Sequence, residues 1–402
     1  MRDLPSRRLA DLVEVRHGFA FEGRYFRDES TTNILLTPGN FAVGGGFLPG
    51  APKYYDGPVP ADFVLAEGDL LVTMTDLSKN GDTLGYPAWV PPAPAGRRFL
   101  HNQRLGKILL RPKAPLDPRY LYYVLCSREY RHEVLATATG STVRHTSPSR
   151  IGAYELPLPH LDVQQRVAGI LGALDDKIAL NRRTNETLES MARALFEASF
   201  GVPKTDHAPS ALGDVADVID CLHAKKPDRR DVGRPLLHLG NIRDDGLLDM
   251  SDSYLIDDRD YQFWTSRVEA RPGDCVITNV GRVGAVAQIP LGVSAALGRN
   301  MTAVRCRPNF PYPTFLLEAL RSDAMRAEIE RKTDTGTILS ALNVRNIPRL
   351  QLPTFDRDVI ERYERVARPL RARMEVALAE SHSLRKTRDV LLPGLLSGAP
   401  AA

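Results

Sequence analysis

A chain of 402 residues, 43% hydrophobic and 25% charged, is long enough for two or three domains and has the composition of a folded globular protein, not a disordered or fibrous one. No stretch approaches the about 18 apolar residues of a membrane span, and Met1-Arg2-Asp3-Leu4 begins no signal peptide, so a cytoplasmic protein is expected. The net charge of +4, from 53 basic and 49 acidic residues, is too small to identify a nucleic-acid binder by itself.

The first module is expected over residues 1–160, as a mixed α/β (α+β) unit. "RHGFAFEGRYF" has turn points at Gly18 and Gly23. "TPGNFAVGGGF" is a glycine-rich loop without the GxxxxGK[ST] pattern of a phosphate cradle. "FVLAEGDLLVTMT" predicts a turn at Glu67-Gly68-Asp69 feeding a strand, and "KILLRP" predicts another. "DPRYLYYVLCSREYRHEVLA" predicts a single helix with an apolar stripe through Tyr120, Tyr123 and Val124. Between these elements lie long polar side chains suited to base edges and phosphates: Lys79 and Asn80 in one loop, then Arg97, Arg98, Asn102, Gln103 and Arg104.

Residues 161–201 are expected to form a long helix. Val167, Leu171, Leu174, Ile178, Asn181, Asn185, Leu188, Ala192 and Leu195 fall on alternating steps of three and four, a heptad seam with a polar centre. The 39 positions from Asp162 to Phe200 would span roughly 58 Å at 1.5 Å per residue, too long to be covered by one small domain. Phe196 and Phe200 are apolar anchors at its exit, expected against a partner or the chain's own module.

The second module is expected over residues 202–355. "LHAKKPDRRDVGR" carries Lys225, Lys226, Arg229 and Arg230, and "LLHLGNIRDDGLL" carries Asn241 and Arg243. In "RPGDCVITNVGRVGAVAQI", Gly281 and Gly284 permit a tight path expected to hold Asn279 and Arg282 outward. Arg299, Asn300 and Thr302 open a further strand, and "TFLLEALRSDAMRAEIE" predicts one helix. All are candidate DNA contacts. A second long helix is expected over residues 356–397.

The halves correspond. Adding 196 to each seam position gives Tyr363, Ala367, Leu370, Met374, Ala377, Ser381, Leu384, Arg388 and Leu391. At the same shift Gly140, Ile151, Leu156 and Pro157 answer Gly336, Ile347, Leu352 and Pro353. Gly68-Asp69 answers Gly273-Asp274 at 205, and Leu9 answers Leu212 at 203, as expected where loops lengthen independently. The chain is a tandem duplication, each half a module followed by a long helix. Bulk charge does not single out either module: residues 1–155 carry 19 basic and 16 acidic side chains and residues 202–355 carry 20 of each, so DNA binding would need basic groups segregated onto one face.

Catalytic signals are weak. His145, His160, His207, His223 and His238 have no metal-site spacing, and there is no HExxH, GxSxG, P-loop, Rossmann fingerprint or nuclease core. Cys126, Cys221, Cys275 and Cys306 form no CxxC pair, which argues against structural zinc and suggests reduced thiols. A two-headed, non-catalytic binding scaffold is expected.

The phrases "LADLVEV…GFAF", "GDLLVTM", the stretch from Gly140 through Phe200, "LGDVADV", "GDCVITNVGRVGAVA" and "TGTILSALNVRNIPRLQLP" resemble the specificity (S) subunit of type I restriction-modification systems over essentially the whole chain. The resemblance implies two tandem target-recognition domains separated by two long antiparallel helices in an intramolecular coiled coil. It implies recognition of a bipartite double-stranded DNA target, two modification (M) subunits acting on adenine, and restriction (R) subunits. S-adenosylmethionine, ATP and Mg2+ would belong to those partners, with no cofactor or metal in this chain. The helix entry "PHLDVQQ" stands where the family usually has "PPLxEQ", which makes Gln164 and Gln165 candidate subunit contacts beside Phe196 and Phe200; the second entry, "LPTFDRDVIERY", has lost the glutamine pair. The alternatives are an interaction scaffold without DNA specificity, or a nuclease or methyltransferase with diverged motifs.

Overall fold

A computed structural model of the chain describes residues 6–78, 80–201, 210–335, 340–352 and 356–397. It divides into two compact units, one of residues 1–176 with 385–402 and one of residues 177–384. The two long helices, Leu161–Phe200 and Arg357–Leu396, thus each contribute to both units.

In the first unit, strands Val13–His17, Leu105–Leu110, Leu70–Thr73 and Pro87–Trp89 form an antiparallel sheet in that order. A second sheet runs Phe26–Arg27, Lys53–Tyr55, Asn33–Leu35, Arg98–Leu100, Val64–Leu65, with a parallel pair at Asn33–Leu35 and Arg98–Leu100. The second unit repeats the plan. Ala216–Asp220, Met301–Cys306, Cys275–Thr278 and Val286–Gln288 make the first sheet. Tyr254–Ile256, Arg234–Leu237, Ala295–Leu297 and Glu269–Ala270 make the second, with Arg234–Leu237 and Ala295–Leu297 parallel. The mixed α/β class and the internal repeat are therefore present in the backbone.

The repeated sequence phrases have mechanical reasons. At the Gly-Asp turns, Gly68 (φ 81°) and Gly273 (φ 89°) take a left-handed conformation open to glycine. The following carboxylate closes the turn: Asp69 accepts from Ala66 N at 2.9 Å and Asp274 from Arg271 N at 2.8 Å. Each also binds a cation on the neighbouring strand, Lys107 at 2.6 Å and Arg305 at 2.7 Å. Asn40 and Asn241 are equivalent too. Their side-chain oxygens accept from Thr37 N and His238 N, while their nitrogens donate to Pro49 O and Asp249 O.

Each unit's helical hairpin corrects an expectation. The single helices expected are Pro118–Cys126 with Arg128–Thr137, and Pro313–Arg321 with Asp323–Lys332. Ser127 and Ser322 break them: both are extended and cap the following helix, accepting from Tyr130 N and Met325 N. The first helix of each hairpin is held differently. Asp117 caps Pro118–Cys126 from its own N-cap position, accepting from Arg119 N and Tyr120 N at 2.9 Å. In the second unit the N-cap is Tyr312, which makes no side-chain cap, and Glu364 of the C-terminal helix accepts from Thr314 N and Phe315 N instead.

The seams face inward. None of the eighteen positions given above is exposed. In the first unit Val167, Ala168 and Leu171 share a core with Leu391, Leu392, Leu395 and Leu396, and Asp175 pairs with Arg388 at 2.7 Å. In the second, Asn181 donates to Glu380 at 2.8 Å and contacts Ser381, Asn185 donates to Met374 O, and Phe200 packs on Tyr363. Residue numbers rise along one helix as they fall along the other, so the pairing is antiparallel. Gly336 and Pro353 of the repeat lie outside the described residues.

Asn181 is 1% exposed and its side-chain oxygen has no hydrogen-bond partner among the described residues. A polar seam residue fixes register at a cost in stability. Asn181→Leu is expected to raise unfolding free energy by about 1 kcal/mol, measured by denaturant titration; a comparable loss would show that the carboxamide stabilises the pair.

Candidate nucleic-acid interface

The candidate readers lie on loops anchored by strand ends. Thr73 and Thr278 occupy the same place: their hydroxyls donate across the following loop to Thr83 O and Arg282 O. Their carbonyls accept from Gly85 N and Gly284 N. Eleven residues lie between Thr73 and Gly85, but only five between Thr278 and Gly284. In the longer loop Asp76 gathers Ser78 N and the Thr83 hydroxyl; although burial pushes its carboxyl up, these hydrogen bonds hold it below the usual range. Asn80 is exposed there, and Lys79 lies outside the described residues.

Arg97 donates to Ser30 at 2.7 Å and leans on Tyr54, and Arg98 donates to Asn33 at 2.7 Å. Asn102 accepts from Arg104 N, whereas the side chains of Gln103 and Arg104 are exposed. In the second unit Lys226 sits 3.8 Å over the Tyr254 ring, Arg229 pairs with Asp252 and Arg230 with Asp257, and Lys225 is exposed. Burial first, and then Lys226 and Arg229, hold the nearby His238 below its ordinary pKa.

Several residues expected to reach outward are spent inside. Asn241 is 7% exposed and both ends of its amide are used in the loop closure described above. Asn279 and Thr302 are 3% and 0% exposed; Thr302 bonds Asn279 at 3.1 Å, and the Asn279 carboxamide nitrogen lies within reach of Asn300 O and Ile277 O. Gly281 and Gly284 do take positive φ, but the path they allow turns Asn279 inward. Arg243 and Arg282 meet in a hollow of about 440 Å³ with Arg321 and Arg326, yet Arg243 is bidentate to Asp245 and Arg282 binds Asp244 and Ile242 O. Asn300 (φ 70°) holds the turn, leaving Arg299 exposed beside it.

Among the subunit-contact candidates, Gln164 is fully buried: it accepts from Asp117 N and donates to Pro115 O and Pro159 O. Phe196 and Phe200 are 8% and 4% exposed in a cluster with Phe315 and Tyr363. Of the four, only Gln165 is exposed. For the two rings, the burial matches the second of the expected covers, the chain's own module.

Residues 1–190 match the model of the family described as type I restriction modification DNA specificity domain. That match takes in 190 of the 402 residues, just under half of the chain. Curated relatives include the type I restriction enzyme HindI specificity subunit of Haemophilus influenzae, 33% identical over 85 residues, and the MjaIX specificity subunit of Methanocaldococcus jannaschii, 32% identical over 99. Those matches cover 21% and 25% of this chain and 18% and 22% of the relatives. The S subunit of a type I restriction-modification system from M. genitalium shares the fold across 100% of this chain and 98% of its own, at a TM-score of 0.61 and 15% identity. No described helix is long and apolar enough to cross a membrane.

The burial of Phe196 and Phe200 predicts that replacing either with Ala costs about 3–5 kcal/mol of stability in the second unit. Chemical denaturation checks this; an unchanged midpoint would return both rings to the list of partner contacts.

Proposed function

We propose that the chain is the DNA specificity subunit of a type I restriction-modification complex, without catalytic groups of its own. Each module reads one half of a bipartite duplex target, and the paired helices set the gap and hold modification subunits that methylate adenine, with restriction subunits joining them in the cytoplasm. S-adenosylmethionine, ATP and Mg2+ act on those partners. The observation that carries the reading is one scaffold used twice with different loops: the strand-end threonines, Gly-Asp turns and parallel pairs recur, while the segment after the threonine has eleven residues in one unit and five in the other. Conserved framing with divergent loops suits two different half-sites.

Of the expected readers, the exposed Asn80, Gln103, Arg104, Lys225 and Arg299 are proposed as DNA contacts. Gln165 is proposed as a modification-subunit contact.

Matched seven-residue insertions after Asn181 and Ala377 test the ruler. They keep the heptad register and add about 10 Å of helix, the length of about three base pairs. In selection from a random duplex library with the complete modification complex, the preferred gap should lengthen by about three base pairs with both half-sites unchanged. An unchanged gap in a well-folded insertion variant would refute the ruler.

A further inference from the structure

The second module carries an element that the first lacks: helix Asp258–Trp264, started by Asp257, whose carboxylate accepts from Asp260 N. Between the corresponding strands, the first module has only the turn Ala61–Phe63. Tyr261 and Trp264 fix the helix by burying 97% and 98% of their surface in a cluster with Leu236, Ile256 and Ala296. The opposite face is left to solvent. Arg259, Gln262 and Phe263 are exposed along it, Phe263 at 55%, and among the described residues Arg259 and the Gln262 carboxamide form no ion pair or side-chain hydrogen bond. The acidic Asp258 and Asp260 lie in the first turn, where they complement the helix dipole.

At the other end the helix borders an open cup of about 420 Å³, lined by Tyr261, Gln262 and Thr265 together with Arg234, Arg267 and Arg271. These three side chains are 45%, 53% and 63% exposed. Their acidic neighbours are few: Glu269 lies 3.3 Å from Arg234 and 3.6 Å from Arg271, and Asp220 is 3.9 Å from Arg267. Arg305 also lines the cup but is committed to Asp274.

We propose that this helix is the base-reading element of the second module, with Arg259, Gln262 and Phe263 on base edges and Arg234, Arg267 and Arg271 on phosphates. The inference rests on the proposed DNA role of the chain. Residue chemistry selects duplex DNA over an acidic protein: guanidinium matches guanine O6/N7, carboxamide matches adenine N6/N7, an apolar ring suits a thymine methyl, and cations set the register beside them. A rigid helix is also a better platform for such contacts than a loop.

The test is selection from a random duplex library, followed by affinity measurement over a salt series, with the full chain and its modification subunits. Arg259→Ala and Gln262→Ala should each relax one position of a single half-site, with about tenfold loss on the preferred base, and leave the other half-site intact. Arg267→Ala and Arg271→Ala should weaken binding to all sequences alike and lower the slope of log K against log salt by about 1 each. All four positions are exposed, and unchanged thermal melting of the variants checks their folding. A wild-type complex that selects two half-sites, with variants giving the same motif and slope, overturns this inference alone. A wild-type complex that enriches no motif overturns the DNA reading and this inference with it. Weakened subunit assembly with an unchanged motif assigns the face to a protein and also overturns it.

Discussion

A 40-residue helix with a narrow apolar seam has to be covered along its whole length, and that requirement shapes both halves of this chain. Its early turns are covered with Leu391, Leu392, Leu395 and Leu396, and its last turns with Phe315 and Tyr363. The C-terminal helix meets the same condition in the reverse direction. Each compact unit is therefore a module plus stretches of both helices, and neither helix forms a body of its own. The polar centre at Asn181, Asn185 and Ser381 carries little apolar burial and instead selects one alignment, through hydrogen bonds that a slipped pairing would lose.

Inside the modules, framing and variation are separated. The framing groups are small and internally satisfied: Asp69 with Lys107, Asp274 with Arg305, and Asn40 and Asn241 across their loops. Because these closures consume their own polar atoms, the intervening segments can change length without stranding buried donors or acceptors. That is the physical condition for one fold to present unrelated surfaces twice.

The repeat, the seam and the Gly-Asp turns were legible in the sequence because they depend on spacing, which survives when the intervening residues change. The break at Ser127 was not, since Tyr120 through Val134 keep a continuous helical stripe and only the extended backbone of one serine divides it. Polar loop residues were legible as polar but not as inward or outward. Asn241 and Asn279 have the chemistry of base readers and are closures, while Arg259 and Gln262, in a stretch with no strong pattern, face water. Residue type gives what a side chain can bind; only the fold decides whether that capacity is already used.

The exchange of caps between the halves bears on how separable they are. The helix Pro118–Cys126 carries its own N-cap in Asp117, so much of what starts it travels with the module. The helix Pro313–Arg321 borrows Glu364 from the long C-terminal helix. Shuffling between related chains thus meets unequal seams: parting the first hairpin from its long helix strips the Gln164 acceptor from the Asp117 amide but leaves the cap on Arg119 and Tyr120 in place, whereas parting the second from its helix leaves the Thr314 and Phe315 amides without their acceptor.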